Sequence, residues 1–125
     1  MNKSVMVVDD EHDTRDAIAH HLTRNGLEAV AAAGGVECLE YFKNGFHGVV
    51  LMDVHMPGMN GWETIQEIIK QGYGEKSVIV LLTADRSARI GKSKEFRQYV
   101  VEYIPKPVEL KQLVEAVKNY LRYFD

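Results

Sequence analysis

The chain has 125 residues, 46% of them apolar, and a formal net charge of −3. That is enough for a single domain over residues 1–125, with one core that needs no disulfide or structural metal. The charge gives no electrostatic reason to expect direct nucleic acid binding, and apolar runs of about five residues fall far short of the ~20 that a membrane helix needs.

Ser4-Val5-Met6-Val7-Val8 is a short apolar run that ends in two carboxylates, Asp9 and Asp10. With Glu11 they arrive too early for a secretory signal, so no membrane insertion is expected. From Asp13 to Asn25 the less polar positions Thr14, Ala17, Ile18, His21 and Leu22 recur at helical spacing, and Asn25-Gly26 is a good stop. Leu27 to Ala33 reads as a weaker strand. Val36, Leu39 and Phe42 then mark a short helix that ends at Asn44-Gly45. Cys38 is the only cysteine and has no internal partner, which fits a reducing cytoplasm. His47 reads as a surface loop residue.

Gly48-Val49-Val50-Leu51-Met52 is a buried-strand run that ends abruptly in Asp53. A loop with Pro57, Gly58 and Gly61 follows, then a helix to Lys70 carrying Trp62, Ile65, Ile68 and Ile69 on one side. Val78-Ile79-Val80-Leu81-Leu82 is the most apolar strand and ends at Thr83. Asp85 to Tyr99 has five basic residues and few apolar anchors; a helix is the expectation, with a solvated face. Val100 to Ile104 is the fifth strand, with Lys106 just past it. Leu110, Leu113, Val114, Val117, Leu121 and Phe124 give a clear amphipathic helix. Strands alternating with helices imply an α/β fold, a doubly wound parallel sheet with helices on both faces. The chain stops with its last helix, so no output domain is expected in it.

In a parallel sheet the strand ends share one rim, where ligands bind. Asp9, Asp10, Asp53, Thr83 and Lys106 would meet there. Taken singly, Asp53 could start a turn, Asp9 or Asp10 could cap a helix, and Lys106 could be a surface lysine. Together they suggest chemistry. Two carboxylates ~4 Å apart repel by about 4 kcal/mol at an effective dielectric of about 20, so the cluster calls for a cation. Hard oxygen donors favour Mg²⁺. Lys106 and Thr83 could then hold phosphoryl oxygens while Asp53 acts as nucleophile.

These residues carry a family resemblance. Asp9-Asp10, the run Asp53-Val54-His55-Met56-Pro57-Gly58-Met59-Asn60-Gly61, Thr83-Ala84 and Lys106-Pro107 resemble, over the whole chain, a receiver domain of two-component response regulators, of the chemotaxis-regulator kind. The resemblance implies a flavodoxin-like three-layer sandwich of five strands in the order 2-1-3-4-5 with five helices. It implies a phosphorylation-activated switch that accepts a phosphoryl group from a sensor histidine kinase or phosphotransfer protein onto Asp53. Mg²⁺ would be bound by Asp53, directly by Asp10, through water by Asp9, and by the backbone carbonyl of His55. Thr83 and Lys106 would bind the phosphoryl group, and the Lys106-Pro107 bond would be cis. Tyr103 matches an aromatic switch position, turning inward as Thr83 moves, although an aromatic on a strand is ordinarily packing. The surface of the fourth helix, fifth strand and fifth helix would then act on a downstream target. A phosphorylation-dependent homodimer is one form that such output takes. Such a domain is cytoplasmic and is no enzyme beyond its own phosphorylation and dephosphorylation.

The chain departs from the family where relatives often carry a Gly-Ala pair before the fifth strand. Phe96-Arg97-Gln98-Tyr99-Val100 stands there, which leaves the packing of the fourth helix open, and the output face with it. The His55 ring has no evident partner carboxylate to make it a base or a ligand. His12, His20 and His21 read as helix-surface residues, and Trp62 as packing. Two other functions share parts of the pattern. A phosphohydrolase of the haloacid dehalogenase type usually has a second Asp two residues after its nucleophile, where this chain has His55, and it carries an inserted cap. A flavodoxin-like cofactor binder needs a first loop rich in Ser, Thr and Gly, whereas Asp9-Asp10-Glu11-His12-Asp13 repels phosphate unless a metal intervenes.

Overall fold

Five apolar runs form the five strands of one parallel sheet, seen here in a computed structural model that describes residues 3–84 and 94–125. In chain order the elements are β1 Ser4–Val8, α1 His12–Arg24, β2 Ala29–Ala32, α2 Gly35–Lys43, β3 Gly48–Asp53, α3 Gly61–Lys70, β4 Ser77–Thr83, α4 Lys94–Tyr99, β5 Val100–Pro105 and α5 Leu110–Leu121. Short 3₁₀ turns precede β4 and follow α5. The sheet order is β2-β1-β3-β4-β5. Both the expected fold class and the expected strand order are found.

Side-chain alternation along the strands divides the core in two. Met6, Val8, Val50, Met52, Ile79 and Leu81 pack with α2 and α3 on one face, against residues such as Phe42, Ile65 and Ile68. Val5, Val7, Val49, Leu51, Val80 and Leu82 pack with α1 and α5 on the other, against Ile18, Leu22, Leu113 and Val117. Every residue of β1, β3 and β4 is buried, which is why these strands read as unbroken apolar runs. Cys38 lies wholly inside the α2 face, and burial pushes its thiol up to about 12.

Several details depart from the sequence reading. The last helix ends at Leu121, and Phe124 sits in the 3₁₀ turn after it. His47 is in a loop but half-buried, with its ring 6.1 Å from that of Phe124. Of the helix expected over residues 85–99, only Lys94–Tyr99 falls within the described residues. The packing of α4 rests on aromatics. Phe96 meets Trp62 edge-to-face with ring centroids 5.8 Å apart, and Tyr99 covers Gly74 so closely that a Cβ there would lie 2.7 Å from the ring.

The entry to α3 fixes the end of β3. Asn60 and Glu63 form a reciprocal capping box, with Oδ1 of Asn60 accepting from Glu63 N at 2.9 Å. Gly61 brings this helix start against the strand, because a Cβ on it would lie 2.6 Å from the Asp53 carbonyl oxygen. Asn60→Ala is expected to cost about 1 kcal/mol as a lost cap. Gly61→Ala is expected to cost about 1–3 kcal/mol as an overpacked contact. Urea unfolding measures both, and a Gly61→Ala protein as stable as wild type would contradict the close approach.

Candidate functional site

Register brings the carboxylates together. Val8 on β1 pairs with Met52 on β3, so Asp9 and Asp10 leave the sheet beside Asp53. One oxygen from each of Asp9, Asp10 and Asp53 can be chosen so that all three lie within 4.8 Å of one another. Asp9 and Asp53 are buried, and Asp10 is exposed. On the other side, β4 pairs with β5 so that Thr83 stands opposite Pro105, and the Lys106 N–H donates to the Thr83 carbonyl at 2.9 Å. Lys106 therefore starts its reach from the same rim. The Lys106-Pro107 bond is cis.

The ammonium of Lys106 holds the carboxylates together. Its Nζ lies 2.9 Å from Asp9 Oδ2 and 3.6 Å from Asp53 Oδ1. Burial pushes the ammonium down, but the hydrogen bond to Asp9 and the attraction of Asp53 and Asp9 outweigh it, and its pKa stands above the ordinary value. Asp9 is fully engaged: Oδ1 accepts from Glu11 N at 2.9 Å and Oδ2 from Lys106. Asp10, by contrast, makes no hydrogen bond or ion pair with the described residues.

Asp53 Oδ1 accepts from the backbone N–H of His55 at 3.2 Å. Burial raises the Asp53 pKa, and the charges of Asp9 and Asp10 push the same way against the lowering effect of Lys106 and the His55 amide; the net displacement is upward. The imidazole of His55 is exposed. Thr83 is buried at the last position of β4. Oxygen donors alone, close enough to need a counter-charge, suit a hard cation such as Mg²⁺.

Tyr103 pairs with Leu81, two residues before Thr83, and packs into the α2–α3 side of the core. Its hydroxyl is buried, with no hydrogen-bond partner among the described residues. Burial raises its pKa. Next to it Glu102 accepts a hydrogen bond from the Tyr120 hydroxyl, tying β5 to α5. Sequence reading missed that tie, and it missed Arg15, whose Nη1 donates to the Asp9 carbonyl at 2.9 Å. Neither residue falls in a motif; each looks like an ordinary helix residue until the chain is folded. A cleft of roughly 490 Å³ opens beside Lys106, lined by Thr14, Ala17, Ile18, Pro107 and Val108 among others.

The raised Asp53 pKa has a consequence for stability. The folded chain binds the Asp53 proton more tightly than the unfolded chain does. Stability from this group is therefore present below the unfolded value near 3.8 and is lost as pH rises through the folded value. In EDTA at neutral pH, Asp53→Asn is expected to unfold at higher urea than wild type, with the gap narrowing as the pH is lowered toward about 4. A midpoint at or below that of wild type at neutral pH would refute the burial of an unfavourable charge.

Comparison with known proteins agrees with this geometry. The model of the family described as response regulator receiver domain matches residues 5–118. A receiver domain protein (CheY-like) from Methanospirillum hungatei is 38% identical in sequence, with a TM-score of 0.86 over 95% of this chain and 94% of that one. The response regulator TrrA from Thermotoga maritima, solved in complex with Mg(2+)-BeF, is 34% identical with a TM-score of 0.79 over 96% of this chain and all of that one. Among curated proteins, the sensory transduction protein RegX3 of Mycolicibacterium smegmatis is 29% identical over 95% of this chain. The chain spans about half the length of the curated relatives it matches, 50% for RegX3. Among the described residues, no helix is long and apolar enough to cross a membrane. With the family match, the fold and the acidic rim in agreement, the chain belongs to the response regulator receiver domain family of two-component signalling.

Proposed function

We propose that this receiver accepts a phosphoryl group on Asp53 from the phosphohistidine of a sensor kinase or phosphotransfer protein, and signals by changing its α4–β5–α5 surface. The observation that carries this reading is the set of three clustered carboxylates with the Lys106 ammonium between two of them. A carboxylate oxygen of Asp53 attacks phosphorus, the P–N bond breaks, and the imidazole leaves with the electron pair. Lys106 turns from Asp9 and Asp53 to a phosphoryl oxygen, and the Thr83 hydroxyl donates to another. Asp10 and Asp53, with the His55 carbonyl and water held by Asp9, would hold Mg²⁺, which neutralises charge on the transferring group. The engaged state of Asp9 and the unengaged state of Asp10 support this division between indirect and direct ligand. The Thermotoga relative in complex with Mg(2+)-BeF supports the choice of metal.

The chain catalyses no reaction beyond gaining and losing its own phosphoryl group. Output follows from contacts that differ between the two states. Movement of Thr83 toward the phosphoryl oxygens frees space beside β4 and β5, and Tyr103, whose buried hydroxyl has no partner among the described residues, turns into it.

With a small phosphodonor and Mg²⁺, the intact mass is expected to rise by one phosphoryl group in an acid-stable, base-labile form, and Asp53→Asn is expected to lose at least about 100-fold in rate. Uptake at the wild-type rate by that variant would remove Asp53 as the acceptor. Thr83→Ala is expected to be phosphorylated still, yet to show a weakened change in amide exchange across residues 94–104. A response equal to wild type would remove Thr83 from the switch.

A further inference from the structure

The loop that carries the two N-terminal carboxylates is held by a cation of its own helix. Arg15 lies in the first turn of α1, and its guanidinium reaches back six residues to donate to the Asp9 carbonyl at 2.9 Å. The other polar groups of Asp9 are also taken. Its N–H donates to the Ala32 carbonyl at 3.2 Å, Oδ1 accepts from Glu11 N, and Oδ2 accepts from Lys106. Asp10 has no such fixings: its carboxylate is exposed and unengaged by the described residues. Its direction is therefore set by the peptides that flank it. The carbonyl of the Asp9–Asp10 peptide is the group Arg15 grips, so a turn of that peptide would swing the Asp10 side chain.

We propose that Arg15 is the positioning residue of the metal-binding loop, fixing the Asp9–Asp10 peptide so that the Asp10 carboxylate is held ready for a divalent cation. This rests on the Mg²⁺ reading of the acidic rim. Two effects of the guanidinium oppose each other. Its positive charge disfavours a cation nearby, so a purely electrostatic role predicts that neutralising Arg15 tightens Mg²⁺ binding. Its hydrogen bond orders a ligand, so a positioning role predicts that removing it weakens binding, as losing an outer-shell partner typically does by about 10–100-fold. The sign of the change separates the two.

The test is calorimetric titration of the unphosphorylated protein with Mg²⁺ alone at fixed ionic strength, for wild type, Arg15→Met and Arg15→Lys. The expected result is a Kd raised about tenfold or more by Arg15→Met and largely restored by Arg15→Lys, which keeps a charged donor at similar reach. Urea unfolding of each variant establishes that it is folded at the titration temperature. If Arg15→Met is unfolded there, Arg15→Gln, neutral and shorter, makes the same comparison. An Arg15→Met protein that binds Mg²⁺ as tightly as wild type, or more tightly, overturns the positioning role and leaves the metal site standing. Wild type that takes up no Mg²⁺ overturns the metal reading and this inference with it.

Discussion

A lysine ammonium lying between two buried carboxylates is the interaction on which the acidic rim depends. Asp9 and Asp53 are both inside the protein surface, and no fold gathers such charges without a counter-charge. Lys106 supplies it from the far side of β4, across 97 residues of chain from Asp9. The pair is short-range chemistry built by long-range topology. It also leaves the rim undercompensated, since one ammonium faces three carboxylates. Burial is the main reason that Asp53 holds its proton more tightly than a free carboxyl does, and the charges of Asp9 and Asp10 add to it. A divalent cation entering the rim would relieve that deficit, and a phosphoryl group arriving with it would bring negative charge for Lys106 and the cation to neutralise.

Topology does the rest. The order β2-β1-β3-β4-β5 places β1 beside β3, so the carboxylates that follow Val8 and the one that ends β3 become neighbours. It places β5 beside β4, so Lys106 emerges next to Thr83. A one-residue slip in either pairing would turn the side chains of a whole strand to the other face. The two-sided core resists that slip, because each strand interleaves residues packed under α2–α3 with residues packed under α1–α5.

The fold was legible because β1, β3 and β4 are buried on both faces, and burial on both faces writes itself as an uninterrupted apolar run. The rim was legible because the runs of β1, β3 and β4 end at or beside the polar residues that meet there. The packing of α4 was not, since it rests on Phe96 against Trp62 and Tyr99 against Gly74, contacts with no apolar period to mark them. The Lys106–Asp9 pair was not, because sequence shows which charges reach a rim and not which of them touch. Arg15 was hidden for a plainer reason: one basic residue on an amphipathic helix looks like every other until its partner is a backbone carbonyl. Tyr103 was half legible. Its place in line with Lys106 could be read, but the burial of its hydroxyl depends on how tightly the neighbouring side chains close over β5.

The burial of Cys38 bears on the conditions under which such a switch can run. A thiol pushed up to about 12 is ionised in only about one molecule in 100,000 at neutral pH, and the thiolate is the form that oxidants and disulfides attack. The only sulfhydryl of the chain is therefore buried and held almost wholly in its unreactive thiol form. Peroxide or a shift in the cellular thiol balance finds no ready thiolate within these 125 residues. The acyl phosphate chemistry proposed for the rim would in this way be shielded from oxidation of Cys38.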